Sequence, residues 1–360
     1  MRSMLFIFLG FPMLSLAYYQ DDYSLLALIF VFVSTMPLWI TFDKFPMTAL
    51  SGNNRPPIAI TTLLLFLAGL LNNSMLLNQA GVTLFEFFSL EGLTKATSFY
   101  TGNRYSMTES KSGNPILLAL SLCFIVYSAF RTGKWANLLV FLAFINVLFY
   151  SLLTTEKWPL FLGIAFYLSA IFVIKGDRDF PRFLLKLAIF SSPLVVILII
   201  ALFLIRGIVS GFFEAFAGYV FLQYSAFGYK LTSADPEYLF GGSSFVGVFN
   251  ALGLSERTPG VWGDELVINE GTTNIYTVWY YFYNDFGVLG GVLPVMTFVL
   301  LIYLLRALRL SWLLPALYFF GIFSSLISFN LTPFVHNTTV LALFLSAGGI
   351  AYMVRGSRNL

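Results

Sequence analysis

Long apolar stretches alternate with short polar ones from one end of the chain to the other. They fall at residues 4–20, 23–42, 58–77, 114–130, 136–153, 158–174, 184–205, 285–305, 311–329 and 338–354. Each is close to the roughly 20 residues that a helix needs to cross the hydrocarbon layer of a bilayer. Their interiors carry no charged side chain except near the ends, at Lys186 and Asp285. The pattern predicts an all-α, polytopic transmembrane bundle of about ten spans. No stretch reads as a separate soluble unit, so residues 1–360 are expected to form a single integral-membrane domain. The first run follows Arg2 and ends in Ser15-Leu16-Ala17, which has the outline of a signal peptide; we read it as a retained span.

Two connections are long, roughly 78–113 and 206–284. Long connections among short ones are usually functional or disordered. The first contains Phe85, Phe87, Phe88, Phe99, Tyr100 and Tyr105, too aromatic for disorder. Both are expected to fold over the membrane surface and to contain short helices. Within the second, 208–226 is apolar but interrupted by Glu214 and two glycines, which predicts an interfacial or re-entrant helix. Residues 235–257 are rich in Gly and Ser and predict irregular backbone lining a cavity, and 274–285 predicts a helix that leads directly into the eighth span.

Composition agrees with a lipid solvent: 58% of residues are hydrophobic and 10% charged, against about 25% charged in soluble domains. The net charge of +3 conceals a segregation. With the N-terminus on the cytoplasmic side, that side collects Arg2, Lys44, Arg55, Arg131, Lys134, Lys175, Arg178, Arg182, Lys186, Arg306, Arg309, Arg355 and Arg358, which is 13 of the 20 basic residues. All acidic residues except Asp43, Asp177 and Asp179 fall on the other side. The excess of Lys and Arg inside makes both termini cytoplasmic and puts the two long connections on one external face, where a functional chamber is expected.

Several chemistries are excluded. Cys123 is the single cysteine and His336 the single histidine, so no intrachain disulfide and no His-rich or thiolate metal site of the usual kind can form. Neither a phosphate-binding Gly-Lys-Ser/Thr loop nor a dinucleotide Gly-x-Gly-x-x-Gly is present. No cofactor and no metal is therefore expected.

External cations are few, and each asks for a reason. Lys157 is the only basic residue in a short external hairpin, and Arg206 closes the seventh span. At the depth of a lipid diphosphate, either could bind that group and stabilise the charge that develops as it leaves. The structural alternatives are an ion pair of Lys157 with Glu156, and Arg206 complementing a helix C-terminus while snorkelling to the interface. Arg104 and Arg257 lie in the long connections, as binding candidates or solvated cations. In Glu270 to Gly287, helical spacing puts Asn274, Thr277, Tyr281 and Asp285 on one face, with Tyr276 among the surrounding rings. A polar stripe framed by aromatics suits a carbohydrate; an interfacial aromatic belt with a packing stripe is the alternative. Asp285, a carboxylate at the mouth of an apolar helix, is either a general base or, the role we favour, an anchor for the loop. His336, in the external turn before the last span, is a candidate acid or base or an ordinary hydrogen-bonded residue.

The stretch Asn274-Ile-Tyr-Thr-Val-Trp-Tyr-Tyr-Phe-Tyr-Asn-Asp-Phe-Gly-Val-Leu-Gly290, preceded by Gly241-Gly-Ser-Ser-Phe-Val-Gly247 and Gly253, resembles the Wzy-type O-antigen (oligosaccharide repeat-unit) polymerases. Lys157 opening the sixth span and Arg206 closing the seventh extend the similarity, which covers the overall plan and is specific mainly in that one stretch. The resemblance implies a GT-C-like fold in the bacterial cell inner membrane and a metal-independent glycosyl transfer on the periplasmic face. Donor and acceptor would be undecaprenyl-diphosphate-linked oligosaccharides, the growing glycan passing to the non-reducing end of a new repeat unit. A chain-length regulator is the implied partner. Related ligases use a histidine in the large external loop, whereas His336 follows the ninth span; and Lys stands at position 157 where related proteins often carry Arg, replacing a bidentate contact by a point charge. An O-antigen ligase, with the same donor and a lipid-core acceptor, and a polysaccharide flippase or transporter are the alternative functions.

Overall fold

The structure is a computed structural model that describes residues 1–41, 59–104, 114–131, 134–154, 156–205, 218, 220–254, 266–268, 271–273, 277–329, 333–334 and 336–355. The described chain is almost entirely helical: α1 (Arg2–Tyr19), α2 (Asp22–Ser34), α3 (Met36–Thr41), α4 (Ala59–Gln79), α5 (Leu84–Phe87), α6 (Leu90–Arg104), α7 (Pro115–Ala129), α8 (Ala136–Thr154), α9 (Trp158–Ile205), α10 (Leu222–Ser233), α11 (Val246–Ala251), α12 (Val278–Phe286), α13 (Leu289–Ala307), α14 (Leu314–Leu326) and α15 (Asn337–Arg355). The strands β1 (Leu266–Ile268) and β2 (Gly271–Thr273) form a small antiparallel ribbon with Val267 opposite Thr272. Among the described residues, six helices are long and apolar enough to cross a membrane: α1, α4, α8, the Trp158–Leu187 part of α9, α13 and α15. The shorter apolar helices α2 and α7, and Ser311–Leu326, accompany them. The fold is thus an all-α bundle built for a membrane.

Three of the ten apolar runs differ in detail from the form expected. Run 23–42 divides into α2 and α3 at Thr35, whose hydroxyl donates to the carbonyls of Val31 and Phe32; Pro37 follows and has no N–H for the helical ladder. Runs 158–174 and 184–205 are two helices, as expected, but within α9 they meet at a kink at Gly176, with φ 72° and ψ 177°, where a loop was expected. That backbone region is essentially open to glycine only. The kink presents Asp177 to the start of α1, where its carboxylate accepts the N-terminal ammonium, the Arg2 N–H (3.2 Å), the Ser3 N–H (3.1 Å) and the Ser3 hydroxyl (2.7 Å). One carboxylate on α9 thereby caps a helix remote in sequence, satisfying amides that no carbonyl of α1 can reach.

The core sits around α7, which is wrapped by α4, α8, α9 and α15 and buries Leu122, Cys123, Phe124, Ile125 and Val126 almost completely. Asn114 caps it, accepting the amides of Ile116 and Leu117, and Pro115 stands at its first turn, where a missing N–H costs nothing. On the outside, α4 turns Leu63, Leu64, Leu67, Leu70 and Leu71 outward. A continuous apolar belt of this kind is unfavourable in water and suited to lipid.

The second long connection does not simply lie over one end of this bundle. Helix α10 packs along α1 and α2, with Phe227 against Phe30 (5.2 Å between ring centroids) and a hydroxyl chain in which Ser15, Ser24 and Ser225 stand 2.9 and 2.7 Å apart. Helix α12 enters beside it. Trp279 lies edge-on to Phe8 at 5.2 Å, and the Val278 N–H donates to the Ser328 carbonyl at 3.0 Å. Tyr224, Phe227 and Trp279 are buried as deeply as the residues of α7.

The kink and its cap give a paired test. Gly176→Ala is expected to cost about 1–3 kcal/mol through backbone strain, and Asp177→Ala a similar amount by leaving buried donors without an acceptor. Asp179→Ala, which removes an exposed partner 4.0 Å from Arg182, should leave thermal unfolding in detergent unchanged, because exposed ion pairs contribute little.

Candidate functional site

Opposite the end that carries Met1 and Asp177, the bundle brings together the starts of α9 and α15, the end of α12 and the chain from Ala234 to Asn250. The organising residues are Asn284 and Asp285, at the last turn of α12. This helix starts at Thr277, whose buried hydroxyl oxygen accepts the Tyr280 N–H, and stops at Gly287, where φ is 61°. The expected helix over 274–285 is therefore shorter and does not run directly into the next span: α13 starts separately at Leu289. Residues 274–276 lie outside the described residues, and the four-residue polar stripe reduces, within α12, to Tyr281 and Asp285.

Asp285 is fully buried. One carboxylate oxygen accepts the Ser243 N–H at 2.9 Å and the other the Ser244 N–H at 2.7 Å. Its backbone carbonyl accepts from Phe240 (3.3 Å), and that of Asn284 from Tyr238 (2.9 Å). The Asn284 amide adds two bonds, accepting the Glu237 N–H at 3.3 Å and donating to the Ser243 hydroxyl at 3.2 Å. Six bonds from two adjacent residues hold the strap 237–244 in a strained path: Tyr238 and Phe240 have φ of 56° and 49°, a conformation that costs a non-glycine residue on the order of 1–3 kcal/mol. The Gly-Ser-rich segment read as cavity-lining backbone is thus a clamped strap.

The strap delivers Phe245 to Phe334, whose ring lies 4.8 Å away, while the Gly247 N–H donates to the Phe334 carbonyl at 2.9 Å. Two residues beyond Phe334 stands His336, half-buried, its ring 6.4 Å from that of Trp158. Asn337 donates to Asn250 at 3.0 Å and ties α15 to α11. Lys157, the neighbour of Trp158, is 9% exposed, and its carbonyl accepts the Phe161 N–H as the first bond of α9. Lys157 thus stands, largely buried, at the positive end of the α9 dipole, an end that favours an anion. Below Trp158 opens an apolar cavity of about 210 Å³, lined by Phe11, Phe161, Ile164, Ala165, Leu168, Val220 and Phe329 among others. The Trp158 indole N–H is buried at its edge without a hydrogen-bond acceptor among the described residues.

Of the candidates read from sequence, His336 comes to Trp158, the chain neighbour of Lys157, and Asp285 is linked to this region through the strap, Phe245 and Phe334. Tyr281 is half-buried on α12 with its ring 5.8 Å from Tyr280. Arg104 ends α6, on the separate unit formed with α4 and α8, and its side chain lies outside the described residues, as do Arg206, Arg257, Asn274 and Tyr276 altogether. Three residues were not singled out by sequence reasoning: Asn284, Ser243 and Trp158. The signal for the first two is the pairing of an Asn-Asp dipeptide before a glycine with a Gly-Gly-Ser-Ser loop, since short-side-chain loops expose amides that a buried carboxylate needs. No family model, no curated protein and no solved structure matches this chain.

The clamp is testable directly. Asp285→Ala leaves two amides without acceptors, at about 1–3 kcal/mol each, and Asp285→Asn restores one acceptor only. Hydrogen exchange should show protection of residues 238–247 falling in the order wild type, Asn, Ala, while α7 keeps its protection. Equal loss in α7 would mean that Asp285 supports the whole bundle and not the strap.

Proposed function

We propose that this chain is an integral-membrane glycosyltransferase that polymerises lipid-linked oligosaccharide repeat units, as the Wzy-type O-antigen polymerases do. The observation that carries the reading is Lys157: a largely buried basic residue at a helix N-terminus, next in the chain to Trp158, which lines an apolar cavity. That combination suits an amphiphile with an anionic head and a hydrocarbon tail, which is the form of undecaprenyl diphosphate. No such arrangement is required by a scaffold.

In this reading the site faces the periplasm of a bacterial inner membrane and both termini are cytoplasmic, following the distribution of basic residues. The acceptor's non-reducing-end hydroxyl attacks the anomeric carbon of the donor glycan. The bond from that carbon to the diphosphate oxygen breaks, the hydroxyl proton passes to a base, and undecaprenyl diphosphate leaves. Lys157 and Arg206 stabilise the diphosphate as charge develops on it. His336, whose ring stands 6.4 Å from that of Trp158, takes that role; Asp285, with both oxygens engaged by backbone amides, holds the strap. Arg104, Arg257, Asn274, Tyr276 and Tyr281 are left as glycan contacts, and Thr277 as the residue that starts α12. A chain-length regulator is the protein partner in this reading.

Complementation of a strain lacking this gene tests it through the lipopolysaccharide ladder. Wild type should restore a long ladder. Lys157→Ala and Arg206→Ala, at normal protein levels, should reduce material beyond one repeat unit at least tenfold, and Lys157→Arg should retain most of it. An undiminished ladder with Lys157→Ala would remove the central observation from the reading. Loss of even the single-unit band on deletion would point to a ligase or a flippase.

A further inference from the structure

The unit formed by α5 and α6 presents a second surface, at the same end of the bundle as the candidate site but on different helices. Its inner side is built of Phe87, Ala96 and Tyr100, packed on Leu76, Leu77, Tyr150 and Leu153 of α4 and α8. Phe87 is 5% exposed, whereas its neighbours Phe85 and Phe88 are 90% and 75% exposed, with Leu84 and Leu90 at 53% and 82%. Such exposure of two aromatic rings and two leucines within seven residues is unfavourable in water.

The corner is rigidly built. Thr83 and Glu86 form a reciprocal capping box, with bonds of 2.7 and 3.2 Å. Lys95 donates to the Gly81 carbonyl at 2.8 Å. Gly92 lets α6 cross so close to α5 that a Cβ there would overlap the Glu86 carbonyl. The rings are therefore presented by the fold and not left outward for want of packing.

We infer that α5 is an interfacial anchor whose Phe85 and Phe88 insert into the lipid at the boundary between acyl chains and headgroups. The chain itself points to lipid as the occupant. Helix α4, whose side chains Leu63, Leu64, Leu67, Leu70 and Leu71 are exposed, leads directly into this corner, with α5 starting at Leu84 just after α4 ends at Gln79, so the patch follows in the chain on a surface suited to the bilayer. The patch offers on the order of 500 Å², less than the roughly 800 Å² per partner that a stable protein interface takes.

The inference rests on the membrane placement of α4 and is independent of the proposed activity. It is tested on the full chain in liposomes of phosphatidylglycerol and phosphatidylethanolamine, with a nitroxide attached to Phe85→Cys or, separately, Phe88→Cys. Cys123, 1% exposed, is replaced by Ala. Labels at Leu71→Cys and Glu91→Cys serve as lipid and water references. Collision with oxygen should exceed collision with a water-soluble nickel chelate several-fold at positions 85 and 88, as at 71 and in contrast to 91. Higher nickel accessibility at 85 and 88 would place the rings in water and overturn the inference. Low accessibility to both reagents would show that protein covers them, with the same consequence. A Leu71 label that behaves as Glu91 does would overturn it through the placement of α4, a failure read separately from the other two.

Discussion

The two hydrogen bonds from the Ser243 and Ser244 amides to the Asp285 carboxylate are the constraint on which the loop-rich end of this protein depends. A carboxylate with no exposure in an apolar bundle is tolerated only when donors surround it. Here the donors are backbone amides of a segment that would otherwise have unpaired groups of its own. Each solves the other's problem. Asn284 extends the arrangement, and the strap so fixed carries Phe245 to Phe334, and through Phe334 sets where His336 begins α15. The position of a candidate acid or base thus follows from a buried carboxylate on another helix, and the strain at Tyr238 and Phe240 is held by those bonds.

A second use of polar groups joins α10 to the bundle. In lipid there is no hydrophobic drive between helices, so close packing and interhelical hydrogen bonds must hold them. The Ser15, Ser24 and Ser225 hydroxyls supply such bonds, with Asp21 accepting from Ser225 at 2.6 Å and the Phe221 carbonyl from Ser15 at 2.9 Å. At the far end Asp177 performs the same service for the start of α1. In all three places a short polar side chain satisfies groups on an element remote in sequence. The interior is consequently specified by few polar contacts set in a large apolar contact surface.

The helical bundle was legible because apolar runs of about 20 residues leave a helix as the only way to satisfy the backbone in lipid. Most run boundaries follow for the same reason. The kink at Gly176 in place of a loop between the two helices was not legible, since it depends on the backbone conformation of one residue. Nor was the depth of α10 and α12: interruption by polar residues such as Gln223, Ser225 and Asn284 reads as surface, and only tertiary partners make those residues acceptable inside. The site was partly legible. Lys157 and His336 stood out as rare external ionisable groups, and the structure brings His336 to Trp158, the neighbour of Lys157. The anchoring geometry of Asp285 was readable as one of two roles, while its donors lay some forty residues away along the chain, beyond any local spacing rule.

The most direct test of the account is made with purified protein in proteoliposomes supplied with undecaprenyl-diphosphate-linked repeat units and no other acceptor, in the presence of EDTA. The account predicts lipid-linked glycans two or more repeats long, released undecaprenyl diphosphate, and loss of both with Lys157→Ala while the protein remains folded. Lipid-linked substrate recovered unchanged, or consumed only when a lipid-core acceptor is added, would contradict it.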